Sequence, residues 1–500
     1  MPDSRHGTSL AGTGTVKDQG IKVVLVYPSS RHSVQTLYTF NRNQSIGFKP
    51  PLSILILATY LRAKGFFNVH CLDAQMEDLT PEETAARLAE MRPDVVGITA
   101  WTDFWYPCWK TVEETRRLLP KTVIVLGGPH CGVYPRETTR AAAADYVVCG
   151  DGEDVLLDLV TALSRGEAVP VMDGLWRKEN GAVVPPPEPL VMVRDLTAIP
   201  PPDRTLLDVR RYSSVLTPSD YETTMVTSRG CPYKCVFCKM DVQKVYARTA
   251  EQVVEEFRQI AELGIADVQV YDDTFTWGKA RAMEICQGII DSGIKVNWAI
   301  RDRVNRVTPD LYELLKQAGC YRVHFGVETG SPRILKETGK FMELEQAREG
   351  VRIAKSVGMT VMTYFMFGFL DETLEDARLT MAFARELDPD YVSFGVLIPY
   401  PGTAIYDAAR EKGIIPGDYW RDFALDPEPD YRIPFVVEDK LDRATLMKLK
   451  NSATRSFYFH PSRLLRELTR LRSFKDMRNK ARLGLAILAD GLNPFSPRRS

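Results

Sequence analysis

Thr227-Ser-Arg-Gly-Cys231-Pro-Tyr-Lys-Cys235-Val-Phe-Cys238 places three cysteines at C-x3-C-x2-C, directly after the β-branched run TTMVTS (223–228). Gly230 and Pro232 keep the segment a loop, so three sulfurs can converge on one centre. Three thiolates on a cubane of four irons leave one iron without a protein ligand. That iron can chelate the amino and carboxylate groups of a small molecule. Two other readings use the same residues. The spacing is also one face of a helix, which would make these core cysteines; the Gly-Cys-Pro start and the preceding strand speak against it. A structural zinc site wants four ligands, usually as paired knuckles. No second C-x2-C or H-x3–5-H exists, and Cys71, Cys108, Cys131, Cys149, Cys286 and Cys320 are scattered singly.

Downstream of the loop, strand-like runs alternate with helical patterns: 267–273, 296–300, 321–328, 360–368 and 391–399, with helices at 249–263, 279–291, 309–318, 344–357 and 374–387. With 223–228, that makes six βα steps and predicts a partial (β/α)6 barrel over 216–420, its chemistry at the C-terminal mouth. Upstream, runs at 22–28, 68–74, 94–100, 122–128 and 145–150 alternate with helices and predict a Rossmann-like, flavodoxin-like parallel sheet over 21–165. Such sheets bind ligands beyond their strand C-termini. Residues 166–215, with PPPEP and IPPPD, read as a linker or small β unit. Residues 1–20 read as a flexible tail and 421–500 as a small helical, basic region. From 440 on there are 15 Lys/Arg against 4 Asp/Glu, which suits a solvated face on the barrel or a contact with an acidic partner, anionic substrate or membrane surface.

Composition narrows the function classes. The 500 residues suggest about three domains. Lys+Arg 64 against Asp+Glu 65 leaves −1, no reason to expect a nucleic-acid binder. The longest largely apolar run, Met359 to Leu370, falls short of the ~20 residues of a spanning helix, so no transmembrane segment is expected. No apolar signal core is visible at the N-terminus. Nine cysteines, an odd and sparse set, point to a reducing, cytoplasmic setting.

The cysteine loop, with DDTF (272–275), GVETGS (326–331) and PYPGT (399–403) in order, resembles the radical S-adenosylmethionine (radical SAM) superfamily. The resemblance implies a [4Fe-4S] cluster on Cys231, Cys235 and Cys238, SAM on the open iron, and a one-electron donor such as flavodoxin or ferredoxin. It implies SAM contacts from Glu328, Gly326, Asp273, Arg301 and Arg303. Glu328 could instead be an ordinary ion-paired strand end. Adjacent Asp272 and Asp273 point to opposite faces, so at most one meets the cavity. Either arginine could hold the SAM carboxylate, an anionic substrate or a surface ion pair. The family's G-x-P-G-E-T turn reads here Gly368-Phe-Leu-Asp371-Glu-Thr373.

The first domain resembles the cobalamin-binding domain that precedes the barrel in one radical SAM group, through 49–61, 92–99, 125–130 and 145–154. The resemblance implies corrin contacts from Thr99, Gly127, Gly128, Pro129, Gly150, Gly152 and Glu153, with Asp151 a departure from Gly-Glu-Gly-Glu. None of the six histidines sits in D-x-H-x-x-G, so no axial ligand is named. His130 lies in the right loop but could simply bond backbone. A Rossmann-like unit without corrin is the alternative; a dinucleotide domain lacks its G-x-G-x-x-G. The aromatics of 101–106 could line a cavity or pack an interface.

The expected function is cobalamin-dependent C-methylation of a small-molecule metabolite. The alternative is radical dehydration, cyclisation or oxidation of a sugar or other metabolite, with Tyr221, Tyr271 or Tyr400 as a candidate acid at the mouth. A non-catalytic iron–sulfur or zinc binding module is the third reading.

Overall fold

A computed structural model describes residues 20–34, 48–214, 216–239, 244–433 and 437–461, with a few isolated positions beyond. The expected N-terminal tail, Gly20 apart, and most of the terminal basic stretch lie outside these residues.

The first unit is built on near-continuous β-branched runs. Strands β1 (Val23–Tyr27), β2 (Val69–Asp73), β3 (Val95–Thr99), β4 (Val123–Gly127) and β5 (Tyr146–Val148) lie parallel in the order β2-β1-β3-β4-β5. Both faces are covered, as their sequences demand. Val23, Leu25, Val95 and Val125 meet the helices Leu52–Ala63 and Glu153–Ser164. The alternate residues Val24, Val26, Val96 and Ile98 meet Pro81–Met91 and Trp105–Leu118. Thr80 opens one of these helices with a full capping box: Glu83 N–H donates to Thr80 Oγ1 (3.1 Å) and Thr80 N–H to Glu83 Oε2 (2.7 Å).

The segment after 165 is more than a linker. Strands β6 (Leu175–Glu179) and β7 (Ala182–Val184) form a hairpin that extends the same sheet antiparallel from β5. Its two-residue turn is Asn180-Gly181, both left-handed at φ 51° and 80°, the pair that such turns favour.

The second unit is an open, all-parallel sheet in sequential order: β8 (Thr223–Met225), then β11 (Asp267–Val270), β12 (Asn297–Asp302), β13 (Cys320–Glu328), β14 (Thr360–Phe367) and β15 (Tyr391–Val396). Between them, β9 (Ser228–Arg229) and β10 (Tyr246–Ala247) make a short antiparallel pair. Val268, Trp298, Ile300, Val323, Phe325 and Phe365 pack outward against the helices. Period two therefore turns Gln269, Tyr271, Arg301, His324, Gly326 and Tyr364 to the concave side. The sheet's last edge is blunted: Tyr458 Oη donates to Val392 O (2.7 Å) and accepts from Val392 N–H (2.9 Å).

After β15 the chain returns to the first unit. Ile398, Tyr406, Trp420, Phe423 and Ile433 share a core with Trp105, Leu126 and Val147. Trp105 Nε1–H donates to Ala424 O (3.1 Å), and Tyr134 and Tyr406 both donate to Asp418 Oδ1 (2.8 Å each).

Candidate active site

The cysteine loop leaves β9 through Gly230, left-handed at φ 97°, and carries no helix as far as Lys239. Cys231 and Cys235 are half-buried, Cys238 is exposed, and all three are free thiols. Buried Asp272 holds the base of the loop. Its carboxylate accepts from Thr227 N–H (2.6 Å), Ser228 N–H (3.1 Å), Ser228 Oγ (2.7 Å) and Thr227 Oγ1. Arg281 donates to Thr227 O (2.9 Å). Further on, Val236 N–H donates to Thr338 O (3.0 Å), and Val236 O accepts from Ile405 N–H (2.9 Å).

Arg303 supports the loop from within. Its guanidinium lies 3.7 Å over the Tyr233 ring, donates to Cys235 Sγ (3.8 Å) and donates to Lys340 O. Although the side chain keeps contact with solvent, the protein packed around its sulfur pushes the Cys238 thiol up to about 11, and its neighbours Cys235, Asp273, Cys231 and Glu328 add to the rise. Burial raises Cys231 as well, against the lowering charge of Arg303. The donor set thus gathers would-be anions that repel one another, an arrangement that iron cations relieve. Among the described residues no three Cys, His, Asp or Glu side chains close on one metal ion.

Glu328 ends β13 after a register shift and adopts φ 73°, rare for a residue with a side chain. Its buried carboxylate pairs with Lys340. A Cβ on Gly326 would stand 2.3 Å from Glu328 Oε1 and 2.6 Å from Lys340 Nζ, so the glycine makes room for that pair. Asp273 sits on the cavity side, its carboxyl raised by burial and by Asp272. Arg301 lies 3.7 Å over the Tyr271 ring.

The three candidate tyrosines separate. Tyr221 precedes β8 and donates to Gly264 O (2.9 Å), at the N-terminal end of the sheet; the structure takes it away from the mouth. Tyr400 donates to Asp103 Oδ1 (3.0 Å) and stacks on Trp420, joining the two units. Tyr271 follows β11 at the C-terminal edge, 37% exposed.

In the first unit, Thr99 and Gly127 end β3 and β4, and Pro129 opens the short helix Pro129–Val133. Two glycines there serve the protein's own packing. A Cβ on Gly128 (φ 102°) would lie 2.8 Å from Ala100 O and from Thr99 Oγ1; one on Gly150 (φ 100°) would lie 1.8 Å from Val191 O. The approach that excludes a side chain at Gly150 is that of the 166–215 segment, not a ligand's. A Cβ on Gly152 would meet Leu57 and Val148 at ordinary contact. Buried Glu153 is engaged by Arg229, which pairs with Glu153 Oε1 (2.6 Å) and Asp151 Oδ1 (2.9 Å). The sequence offered no local signal for this tie, which joins the loop after β5 to the residue two before Cys231. His130 is fully buried, stacked on Trp105 at 4.4 Å, and burial pushes its imidazole down to about 3; it is a neutral core residue. Of the 101–106 aromatics, Trp105 is core and Trp101 stays 44% exposed.

The chain matches the Radical SAM superfamily over 225–384 and the B12 binding domain over 43–160. It is 33% identical over 454 residues to an uncharacterized methyltransferase of Pyrococcus horikoshii, covering 90% of this chain and 95% of the relative. It is 28% identical over 423 residues to the anaerobic magnesium-protoporphyrin IX monomethyl ester cyclase of Rubrivivax gelatinosus, covering 82% and 74%. The fold is similar to that of the radical S-adenosylmethionine methyltransferase TsrM of Kitasatospora setae, solved with cobalamin and a [4Fe-4S] cluster: TM-score 0.69, 18% identity, covering 95% and 99%.

Proposed function

The chain belongs to the radical SAM superfamily, in the group whose barrel follows a B12-binding domain, and from that premise we propose that it methylates an unactivated carbon of a small-molecule metabolite. The observation that carries the proposal is the ion-paired tie from Arg229 to Asp151 and Glu153. It ties the loop after β5 to the residue two before Cys231, which supports two cofactor sites lying near one another.

Cys231, Cys235 and Cys238 would hold the cluster. Glu328, with Gly326 and Asp273, would receive the polar groups of SAM. The loops at Thr99, Gly127–Pro129 and Gly152 would receive the corrin. When bound, these groups would supply the one-electron chemistry that activates a C–H bond and a methyl group for that carbon. The protein's part is positional. Asp272 and Arg303 fix the cysteine loop, and Lys340 fixes the Glu328 carboxylate. Reducing power comes from an external one-electron donor such as flavodoxin or ferredoxin. The setting is cytoplasmic; no helix among the described residues is long and apolar enough to cross a membrane.

The test is transfer of a labelled methyl group from SAM by anaerobically reconstituted protein, with product mass gaining one CH2. Cys231→Ser, Cys235→Ser and Cys238→Ser should each abolish cluster absorbance and transfer. The similarity to a named cyclase gives a second reading, radical oxidation or cyclisation without methyl transfer. A product that loses two hydrogens or water, with the label left on SAM, would select it.

A further inference from the structure

The concave side of the second sheet holds several cations, and all but one have a protein partner. Lys49, reaching over from the first unit, pairs with Glu222, and Lys340 pairs with Glu328. Arg322 donates to Leu216 O (2.7 Å) and Gln269 Oε1 (3.3 Å). Arg303 is engaged by Tyr233, Lys340 O and Cys235. Arg301 is different. It rests flat on Tyr271 and makes no hydrogen bond or ion pair to any described residue.

Its place is fixed by register. Arg301 lies within β12 and Arg303 one residue past its end, ~6.6 Å apart if the extended backbone continues. Its partner on β13 is His324. The charge felt at Cys231 is that of Arg303, whereas His324 and Tyr364 feel Arg301. Asp273, beyond Tyr271, feels Arg301 as well, so Arg301 lies on the concave side between that acid and the His324–Tyr364 pair. Beside it, His324 Nδ1 lies 2.8 Å from Tyr364 Oη, and His324 Nε2 is buried without a partner. Burial and the charges of Arg322, Arg301 and Lys49 hold that imidazole neutral. A guanidinium held flat on a ring has its hydrogen-bonding edges free. The acid nearest in charge terms, Asp273, makes no ion pair with Arg301, so those edges are open to an anion from outside.

We propose that Arg301, seated on Tyr271 and flanked by the His324–Tyr364 pair, recognises an anionic group, a carboxylate or phosphate, on the substrate. This rests on the barrel being the substrate site, not on which group is transferred there. The other source of such an anion is the carboxylate of SAM, and the experiment separates the two.

Reconstituted holoenzyme is supplied with SAM, reductant and a deproteinised metabolite extract of the native cells. The extract is split on an anion exchanger at pH 8. Formation of 5′-deoxyadenosine reads substrate engagement even if no methyl moves, so failure of methylation and failure of this inference are separate results. The retained, anionic fraction should stimulate cleavage. Arg301→Gln should raise the amount needed for half-maximal stimulation ~10- to 100-fold, the worth of a charged hydrogen bond, with Arg301→Lys in between. Iron content and the Kd for SAM should stay near those of the parent. Stimulation confined to the unretained fraction, equal stimulation by both, or no stimulation by the retained fraction would overturn the proposal. A parallel loss of SAM affinity in Arg301→Gln would also overturn it, by assigning the residue to SAM's carboxylate.

Discussion

Asp272 and Asp273 are adjacent, chemically identical and opposite in role. Asp272 accepts four hydrogen bonds from the two residues that lead into the cysteine loop. An amide in its place keeps the shape but turns one acceptor into a donor. Asp272→Asn should therefore lower stability by ~1–3 kcal/mol and reduce iron loading, measured by thermal melting and by iron per protein. Asp273→Asn, facing the cavity, should leave both nearly unchanged. The strand period announced that the two would part; which of them would face inward needed the sheet's orientation. A second residue shows the reverse. Asp371 stands where the family turn has glycine, and adopts φ 57°. Aspartate tolerates that conformation at a cost. Its ion pair with Lys412 is exposed and worth little. Asp371→Gly should be neutral or stabilising by up to ~1 kcal/mol, whereas Asp371→Val should destabilise, both read from denaturant midpoints.

At the scale of elements, β12 and β13 carry the most information. β12 ends in Asp302, a fully buried carboxyl that accepts from Thr276 Oγ1 and Tyr312 Oη, each at 2.7 Å. Burial raises it from 3.8 to about 6. The folded state thus holds a proton that the unfolded chain has released between about pH 4 and 6. Its contribution is full below pH 4 and is lost as pH rises through 6. Asp302→Asn should flatten that part of the stability–pH curve, measured by chemical denaturation at pH 4.5 and 7. β13 ends in the left-handed Glu328, over a glycine that leaves room for the Lys340 pair. The atoms that a Gly326→Ala methyl would strike are far ends of flexible chains. The fold should survive with unchanged melting, while SAM binding weakens ~10-fold or more. The strands themselves were legible because β-branched runs between turn residues have few alternatives. The β6–β7 hairpin is also written in the sequence, as Asn180-Gly181 between alternating residues, while the flanking prolines fit a linker equally well, so 166–215 reads as either a linker or a small β unit. Gly150 misled for another reason: a glycine required by the chain's own approach looks the same as one that admits a ligand.

The whole molecule is held together by contacts that no local pattern announces. Arg229 lies in the second unit and its two carboxylates in the first. Removing that charge strands one buried acid, Glu153, and one half-buried acid, Asp151, so Arg229→Gln should cost ~3 kcal/mol and lower corrin and iron content together. Arg229→Lys should recover part of each. A loss of one cofactor with the other intact would show that the tie does not join the sites. Tyr400 with Asp103, and Trp105 with Ala424, span about 300 residues of sequence. Side chains of ordinary apolar and aromatic type make these contacts, and many surfaces could have received them.

That late return of the chain has a consequence for inheritance. The floor of the corrin-binding half is encoded in two stretches of gene, with the entire barrel written between them. Recombination that exchanged only the front portion for a relative's would leave Trp105 and Leu126 facing a mismatched lid. The two halves should therefore descend as a single unit.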